Sequence, residues 1–267
     1  GIVTYGVVSP EQAFVVFSSV CFSLYVKFFV DFYYTKSLNQ NSHYYTIIKK
    51  TIESYGIFID AFSSRPAMKG PLTVSENIIQ AMAEAGRLTV ESGMVDSFFG
   101  NISYKHDDVI YISQTGSSLD ELEGYIDPCP IDGSSTTAIT ASSEFSAHKS
   151  VYELTTKNCI LHGHPKFAVI MSMICDYMDC EHRDACFIKC DKNRFLQDIP
   201  IVPGEVGTGP TGLVNTLPPS LTGRGSIVYG HGLFTTGKDD FIEAFENLIS
   251  IEKMCYQLYI EKVLLFS

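Results

Sequence analysis

The longest apolar stretch of the chain lies close to its beginning. Residues 12–34, QAFVVFSSVCFSLYVKFFVDFYY, approach the length of a membrane-spanning helix, but Lys27 and Asp31 interrupt them. These two charges lie one helical turn apart, where they can pair, and charged side chains are costly inside a membrane. We therefore predict a buried or subunit-packing helix in a protein without a membrane partner.

The first 70 residues are predicted to form a helical extension. Ser9 is a suitable N-cap, Pro10 suits the first helical position, and Gln12 can complete a capping box, so a helix should begin here. Apolar residues then recur every three or four positions over residues 42–62, which predicts a second helix. A stretch rich in Ser, Pro and Gly follows at 63–71 and indicates a boundary. We expect the extension (1–70) to pack or cap an oligomer and residues 71–267 to form the catalytic domain.

The remaining pattern mixes helices with short strands. The predicted helix at 73–91 is stopped by Gly93. Residues 176–224 are predicted to form an irregular insertion rich in Cys, Pro and Gly. The predicted helices are 73–91, 143–154, one from about 165, and 238–263, and the predicted strands are 101–104, 109–113, 159–164 and 226–229. Because strands and helices do not alternate strictly, we predict an α/β fold of α/β/α layers around a mostly antiparallel central sheet.

Composition narrows the class of protein. The chain has 267 residues, 30 of them acidic and 19 basic, and its net charge is −11. Nucleic-acid binding needs a basic face, so this charge argues against a nucleic-acid partner. An anionic substrate must instead be held by a local group of donors. Eight cysteines are too few for a small disulfide scaffold, and the start of the chain does not resemble a signal peptide, so we expect a cytoplasmic protein with reduced thiols.

Two histidines share one predicted strand, in Leu161-His162-Gly163-His164. Residues i and i+2 of a strand point to the same face, so both imidazoles project together, as a zinc or similar divalent ion requires. A third histidine, His231, lies between two glycines at a predicted strand end. The alternative is a pair of partly buried histidines that are bonded to main-chain carbonyls.

Three short polar turns could together bind an anion. They contain small hydroxyl or amide residues beside glycine or at a helix start, where backbone N–H groups are free. Ordinary turn and N-cap chemistry explains each turn taken singly, but it explains the set less well. The turns are centred on Asn101, on Thr115 and Gly116, and on Ser142, Ser143 and Glu144.

The insertion contains four cysteines that could hold a second metal. Four thiolates can bind a structural zinc ion or an iron–sulfur cluster. The spacing of these residues matches no standard motif, which favours reduced, partly buried cysteines instead. The four residues are Cys175, Cys180, Cys186 and Cys190.

Taken together, these motifs resemble the class II aldolase/adducin family of sugar-phosphate enzymes, which includes the fuculose-phosphate aldolases. The matching segments occur in the family's order over about residues 76–260: residues 92–103, Thr115-Gly116, Ser142-Ser143-Glu144 with His148, residues 161–164, and Gly230-His231-Gly232 followed by Thr236-Gly237-Lys238. The resemblance implies one zinc ion per chain on His162, His164 and His231, with Glu144 as catalytic acid/base. It also implies a substrate phosphate held by Asn101, Thr115, Gly116, Ser142 and Ser143.

The resemblance implies a zinc-dependent aldolase, a carbon–carbon lyase of carbohydrate metabolism. Such an enzyme cleaves a phosphorylated ketose into dihydroxyacetone phosphate and an aldehyde through a metal-stabilised enediolate. An epimerase or dehydratase for ribulose-type phosphates is the alternative, and a non-catalytic adducin-like binding module is a further one. Glu144 favours the aldolase, since the family's epimerases carry Asp there. Phe99 departs from the aldolases, which usually have a small hydroxyl residue before Gly-Asn. The family also implies a homotetramer.

Overall fold

An eight-stranded sheet lies at the centre of the fold. The structure, a computed structural model, describes residues 1–39, 43–96 and 98–264. The strands are β1 (Asn101–His106), β2 (Val109–Ser113), β3 (Ile126–Pro130), β4 (Cys159–Gly163), β5 (Arg194–Leu196), β6 (Ile199–Val202), β7 (Gly225–Val228) and β8 (Gly232–Gly237). The helices are α1 (Pro10–Asn39), α2 (His43–Ala61), α3 (Ser75–Glu91), α4 (Phe145–Leu154), α5 (Lys166–Met173), α6 (Leu213–Thr216) and α7 (Phe241–Leu264).

The strand order confirms the predicted sheet. The strands follow one another in the order β3-β2-β1-β4-β8-β7-β6-β5. All neighbours run antiparallel except β6 and β7, which are parallel. The strand with the histidine pair, β4, therefore lies inside the sheet, between β1 and β8.

Helices cover the two faces of the sheet with separate hydrophobic cores. Because successive side chains of a strand point to opposite faces, Leu161 of β4 belongs to one core and Ile160 to the other. The first core contains residues of α1, α2, α3, α5 and α7, and the second contains residues of α4 and α6. This is the predicted arrangement of α/β/α layers.

The N-terminal helix begins where the sequence predicts. The Gln12 N–H donates to the Ser9 Oγ at 3.3 Å, which confirms Ser9 as N-cap. The side chain of Gln12 accepts hydrogen bonds from the N–H groups of Val7 and Val8, the two residues before the cap, so the second half of the predicted capping box is wrong. Lys27 and Asp31 form the predicted pair, with Nζ 2.7 Å from Oδ2. For the second helix, residue 42 of the predicted range lies outside the described residues.

The apolar helix α1 has two different faces. Val26, Phe29 and Phe32 are buried in the first core, next to residues of α2, α5 and α7. Other large apolar side chains of α1 are exposed: Phe14, Val16, Phe17, Val20, Leu24 and Phe28. By length and composition the helix is able to cross a membrane, and 17% of that stretch is buried in the protein. Core helices of soluble proteins have the same composition, so the expected absence of a membrane partner stays a prediction.

The insertion at 176–224 is more regular than predicted. It contains β5, β6 and α6, and β6 joins the sheet beside β7. No strand is predicted at β8, nor at β3, where Pro128 and Pro130 argue against a central strand. The two prolines fit in β3 because this strand lies at the edge of the sheet, where their missing N–H groups cost no hydrogen bond to a neighbouring strand.

Candidate metal centre

Three histidines converge at one end of the central strands. His162 belongs to β4, His164 follows the end of that strand, and His231 lies in the tight turn between β7 and β8. The Nε2 atoms of His162 and His164 are 3.2 Å apart. Each of the three residues offers one ligand atom, and these atoms lie within 4.8 Å of one another. The predicted triad is therefore assembled, although a turn rather than a strand carries His231.

The orientation of His162 is fixed on two sides. Its Nδ1 lies 3.1 Å from the Leu233 carbonyl oxygen, to which it donates, and its ring stacks on Phe234 at 3.9 Å. This bond places the proton on Nδ1 and leaves the Nε2 lone pair directed at the other two histidines. Gly232 permits this packing, because a Cβ there would lie 2.6 Å from His162 Cε1 and 2.5 Å from the Gly163 oxygen.

The environment of the triad suits a divalent cation. Burial lowers the pKa values of His162 and His164 well below the usual range, so both rings are neutral and their lone pairs are free. Nitrogen ligands with bonds of about 2.0–2.1 Å in a tetrahedral site stand about 3.3 Å apart, close to the observed Nε2 separation. Two neutral histidines, a third imidazole beside them and a spacing of this size fit a metal ion such as Zn²⁺.

Glu144 lies beside the triad, at the start of α4. It is 6% exposed, with Oε1 3.4 Å from His231 Nε2 and Oε2 3.8 Å from His162 Nε2. The Asn101 side chain donates to Oε2 at 2.7 Å, and the register of β1 and β4 places Asn101 directly opposite His162. Asn101 Oδ1 is buried and has no hydrogen-bond partner among the described residues, so it can accept from a ligand.

The other predicted phosphate residues lie near one another. The Thr115 N–H donates to the Thr140 carbonyl, the Thr115 hydroxyl to the Ala141 carbonyl, and the Ser142 N–H to the Ser113 carbonyl. These bonds join the turn after β2 to the turn before α4. Of the predicted residues, Ser142 is buried, whereas Thr115, Gly116 and Ser143 are exposed. The arrangement leaves their phosphate-binding role a prediction.

A cavity that no sequence pattern predicts adjoins the triad. Its volume is about 180 Å³, and His164 and His231 contribute to its wall. The remaining lining residues are Ser19, Phe22, Ser23, Val95, Asp96, Phe99, Lys166 and Gly230. In the sequence, Phe99 stands out only by its departure from the family pattern, and no sequence pattern connects α1 with the histidines.

The structure does not bring the four cysteines of the insertion together as a metal site. Among the described residues, the histidine triad is the one group of three or more ligating side chains whose ligand atoms lie within 4.8 Å of one another. All four thiols are free, and Cys186 donates to the carbonyls of His182 and Arg183, in its own turn. Among the described residues, neither a structural zinc site nor an iron–sulfur site is therefore seen on Cys175, Cys180, Cys186 and Cys190, and their free thiols agree with the alternative that the spacing favours.

Comparison with known proteins gives one family and one fold. The family model for the class II aldolase and adducin N-terminal domain matches residues 80–259, more than half of the chain. No curated protein sequence matches the chain.

Solved structures share the fold at low sequence identity. An L-fuculose-1-phosphate aldolase from Thermus thermophilus has a TM-score of 0.58 at 20% identity, over 72% of this chain and 98% of the other. Another L-fuculose 1-phosphate aldolase has a TM-score of 0.55 at 18% identity, over 70% and 86%. A sugar-phosphate aldolase from Thermotoga maritima has a TM-score of 0.50 at 17% identity, over 72% and 97%.

Proposed function

The chain belongs to the class II aldolase and adducin family, and from this membership we propose that it is a zinc-dependent aldolase. Its substrate would be a phosphorylated ketose, which it would cleave into dihydroxyacetone phosphate and an aldehyde. The solved structures that share its fold include sugar-phosphate and L-fuculose-1-phosphate aldolases. His162, His164 and His231 would hold the metal ion.

The position of Glu144 is the observation that most strongly supports a catalytic function. Its Oε1 lies 3.4 Å from His231 Nε2, while Oε2 accepts a hydrogen bond from Asn101. A binding module has no need for a buried carboxylate held beside a histidine triad. An enzyme that moves a proton next to a metal ion needs this arrangement.

Glu144 and the histidine triad would have different roles in the reaction. During cleavage the hydroxyl on the carbon that becomes the aldehyde would give its proton to the Glu144 carboxylate. The carbon–carbon bond would break with its electron pair left on the dihydroxyacetone phosphate carbon, and that carbon would then take the proton. Glu144 Oε1 is the atom that would give this proton, and it would remove it again in the condensation direction. A divalent ion on the triad would supply Lewis-acid stabilisation of the negative charge that develops on the substrate oxygens.

The substrate phosphate would bind in the turns after β2 and before α4. The Gly116 N–H and the hydroxyls of Ser142 and Ser143 would donate to it, with Asn101 and Thr115 beside them. The net charge of −11 makes such a local group of donors necessary, since the overall field repels an anion.

The test is the loss of dihydroxyacetone phosphate in the presence of acetaldehyde or lactaldehyde, measured before and after zinc is removed. We expect consumption that stops when the metal is stripped and returns when zinc is added. Protein that demonstrably holds zinc and consumes none would contradict the aldolase. The epimerase and dehydratase reactions on the same metal site would then be tested with ribulose phosphates.

A further inference from the structure

The cavity beside the triad is partly built by a helix outside the family domain. Ser19, Phe22 and Ser23 of α1 line it together with His164 and His231. The family match begins at residue 80, and α1 ends at Asn39. Among the described residues, none of the five phosphate candidates lines this cavity.

The helix is held firmly against the domain at this point. The Ser18 hydroxyl donates to Asp96 Oδ2, directly next to the cavity. About one turn beyond Phe22, Val26 is buried, and Phe29 follows in the same core, where its carbonyl accepts a hydrogen bond from Tyr259. Positions 19, 22, 26 and 29 share one face of the helix, so the face that lines the cavity is continuous with the face that enters the core.

The wall nearest the histidines is aromatic. The ring of Phe22 lies 6.0 Å from the ring of His164, and the ring of Phe99 lies 5.8 Å from it. The charged lining residues have partners elsewhere, because Lys166 Nζ donates to the Gly93 carbonyl and Asp96 accepts from Ser18. A cavity lined by the rings of Phe22 and Phe99 favours an apolar group over a second phosphate or a chain of sugar hydroxyls.

We propose that α1 forms a wall of the substrate site and that Phe22 is a specificity-determining residue, which limits the aldehyde to a short apolar tail. This inference rests on the proposed function, since it identifies the cavity as the place of the aldehyde. The phosphate side of the substrate would bind at the other end, beside Asn101. Phe22 touches the bound tail and takes no part in proton transfer.

The first experiment measures aldehyde selectivity. The ratio of kcat/KM for pentanal to that for acetaldehyde is compared in wild type, Phe22→Ala, Phe22→Leu and the control Phe28→Ala. Phe28 belongs to the same helix but is exposed on another face. Removal of the Phe22 ring should raise the ratio about tenfold or more, the leucine variant should raise it less, and the control should leave it unchanged. The KM for dihydroxyacetone phosphate should not change in any variant.

The second experiment needs no turnover. The chain has no tryptophan, so Phe22→Trp and Phe28→Trp each introduce a single indole fluorophore. Co²⁺ bound at the triad quenches indole emission at short range. Residue 28 is six positions further along, about 9 Å away on the helix axis. Stoichiometric Co²⁺ should therefore quench the Phe22→Trp variant strongly and the Phe28→Trp variant much less.

The two experiments separate the inference from the proposed function. A wild type that is active with acetaldehyde, together with an unchanged ratio in folded Phe22→Ala, would overturn the inference and leave the aldolase standing. A wild type that holds metal but consumes no dihydroxyacetone phosphate would overturn the aldolase, and with it the aldehyde tail. In that case stronger quenching in Phe22→Trp would still support α1 as a wall of the site, and equal quenching in both variants would overturn the wall as well.

Discussion

The side chain of His164 is held mainly by contacts between rings. His162 is held by Leu233 and Phe234, whereas the His164 side chain contacts the other two histidines and the rings of Phe22 and Phe99. A change at His164 should therefore remove a metal ligand with little other damage.

We predict that His164→Ala abolishes stoichiometric zinc binding and costs only about 1 kcal/mol of unfolding free energy. Metal content after dialysis and urea denaturation followed by circular dichroism provide the two readouts. His106→Ala is the matched control, because His106 lies at the far end of β1, and this variant should retain its zinc. Full zinc occupancy in His164→Ala would contradict the assigned ligand set.

At the residue scale, the sequence predicts the triad well and its surroundings less well. The pair His162 and His164 follows from strand periodicity, and the resemblance adds His231. The contact of Phe22 with His164 could not be predicted, because it joins residues 142 positions apart and depends on how α1 packs. No local pattern carries that information.

At the scale of elements, one buried carboxylate joins three helices. Glu252 of α7 accepts hydrogen bonds from the Phe167 and Ala168 N–H groups at the start of α5, at 2.7 and 2.8 Å, and from the Tyr55 hydroxyl of α2 at 2.5 Å. It satisfies N–H groups that a helix start leaves without partners. Burial raises the pKa of Glu252 above its usual value, although the hydrogen bonds that it accepts act in the opposite direction.

We predict that Glu252→Ala lowers the free energy of unfolding by about 3 kcal/mol, because buried donors lose their acceptor. Glu261→Ala on the same helix is the control, since Glu261 is exposed, and it should cost less than about 0.5 kcal/mol. Urea denaturation measures both values. Equal losses in the two variants would show that the buried carboxylate does not join these helices.

Elements with a long apolar run, a clear periodicity or a recognisable start are the ones that the sequence predicts. The helices α1, α3, α4 and α7 and the strand β4 lie close to their predicted positions. The strands β5 and β6 have only three and four residues, too few to establish a period of two, and β3 contains prolines. Their positions depend on pairing partners that are distant in the sequence, so the insertion was predicted to be irregular.

On the scale of the whole molecule, the N-terminal extension shares a core with the family domain. Phe29 of α1 is 1% exposed and packs against the rings of Phe167 and Tyr259, at 5.9 Å each. The sequence predicts residues 1–70 as a unit that is separate from the catalytic domain. The shared core makes cooperative unfolding of the two the expected behaviour.

We predict that Phe29→Ala destabilises the whole molecule by about 3–5 kcal/mol, in a single transition, because it leaves a cavity between the extension and the domain. Phe28→Ala, at the neighbouring exposed position, should cost less than about 1 kcal/mol. Urea denaturation monitored by circular dichroism gives the midpoint. An early, separate transition for the helical extension would contradict a shared core.

The variant Glu144→Gln shows most directly whether the carboxylate beside the histidine triad transfers the proton. Zinc content and the rate of dihydroxyacetone phosphate consumption with acetaldehyde are measured on the same preparation, next to wild type. We predict one zinc ion per chain in both proteins and a rate at least about 100-fold lower in the variant, because the amide cannot transfer the proton. A zinc-loaded variant that keeps the wild-type rate would contradict the account.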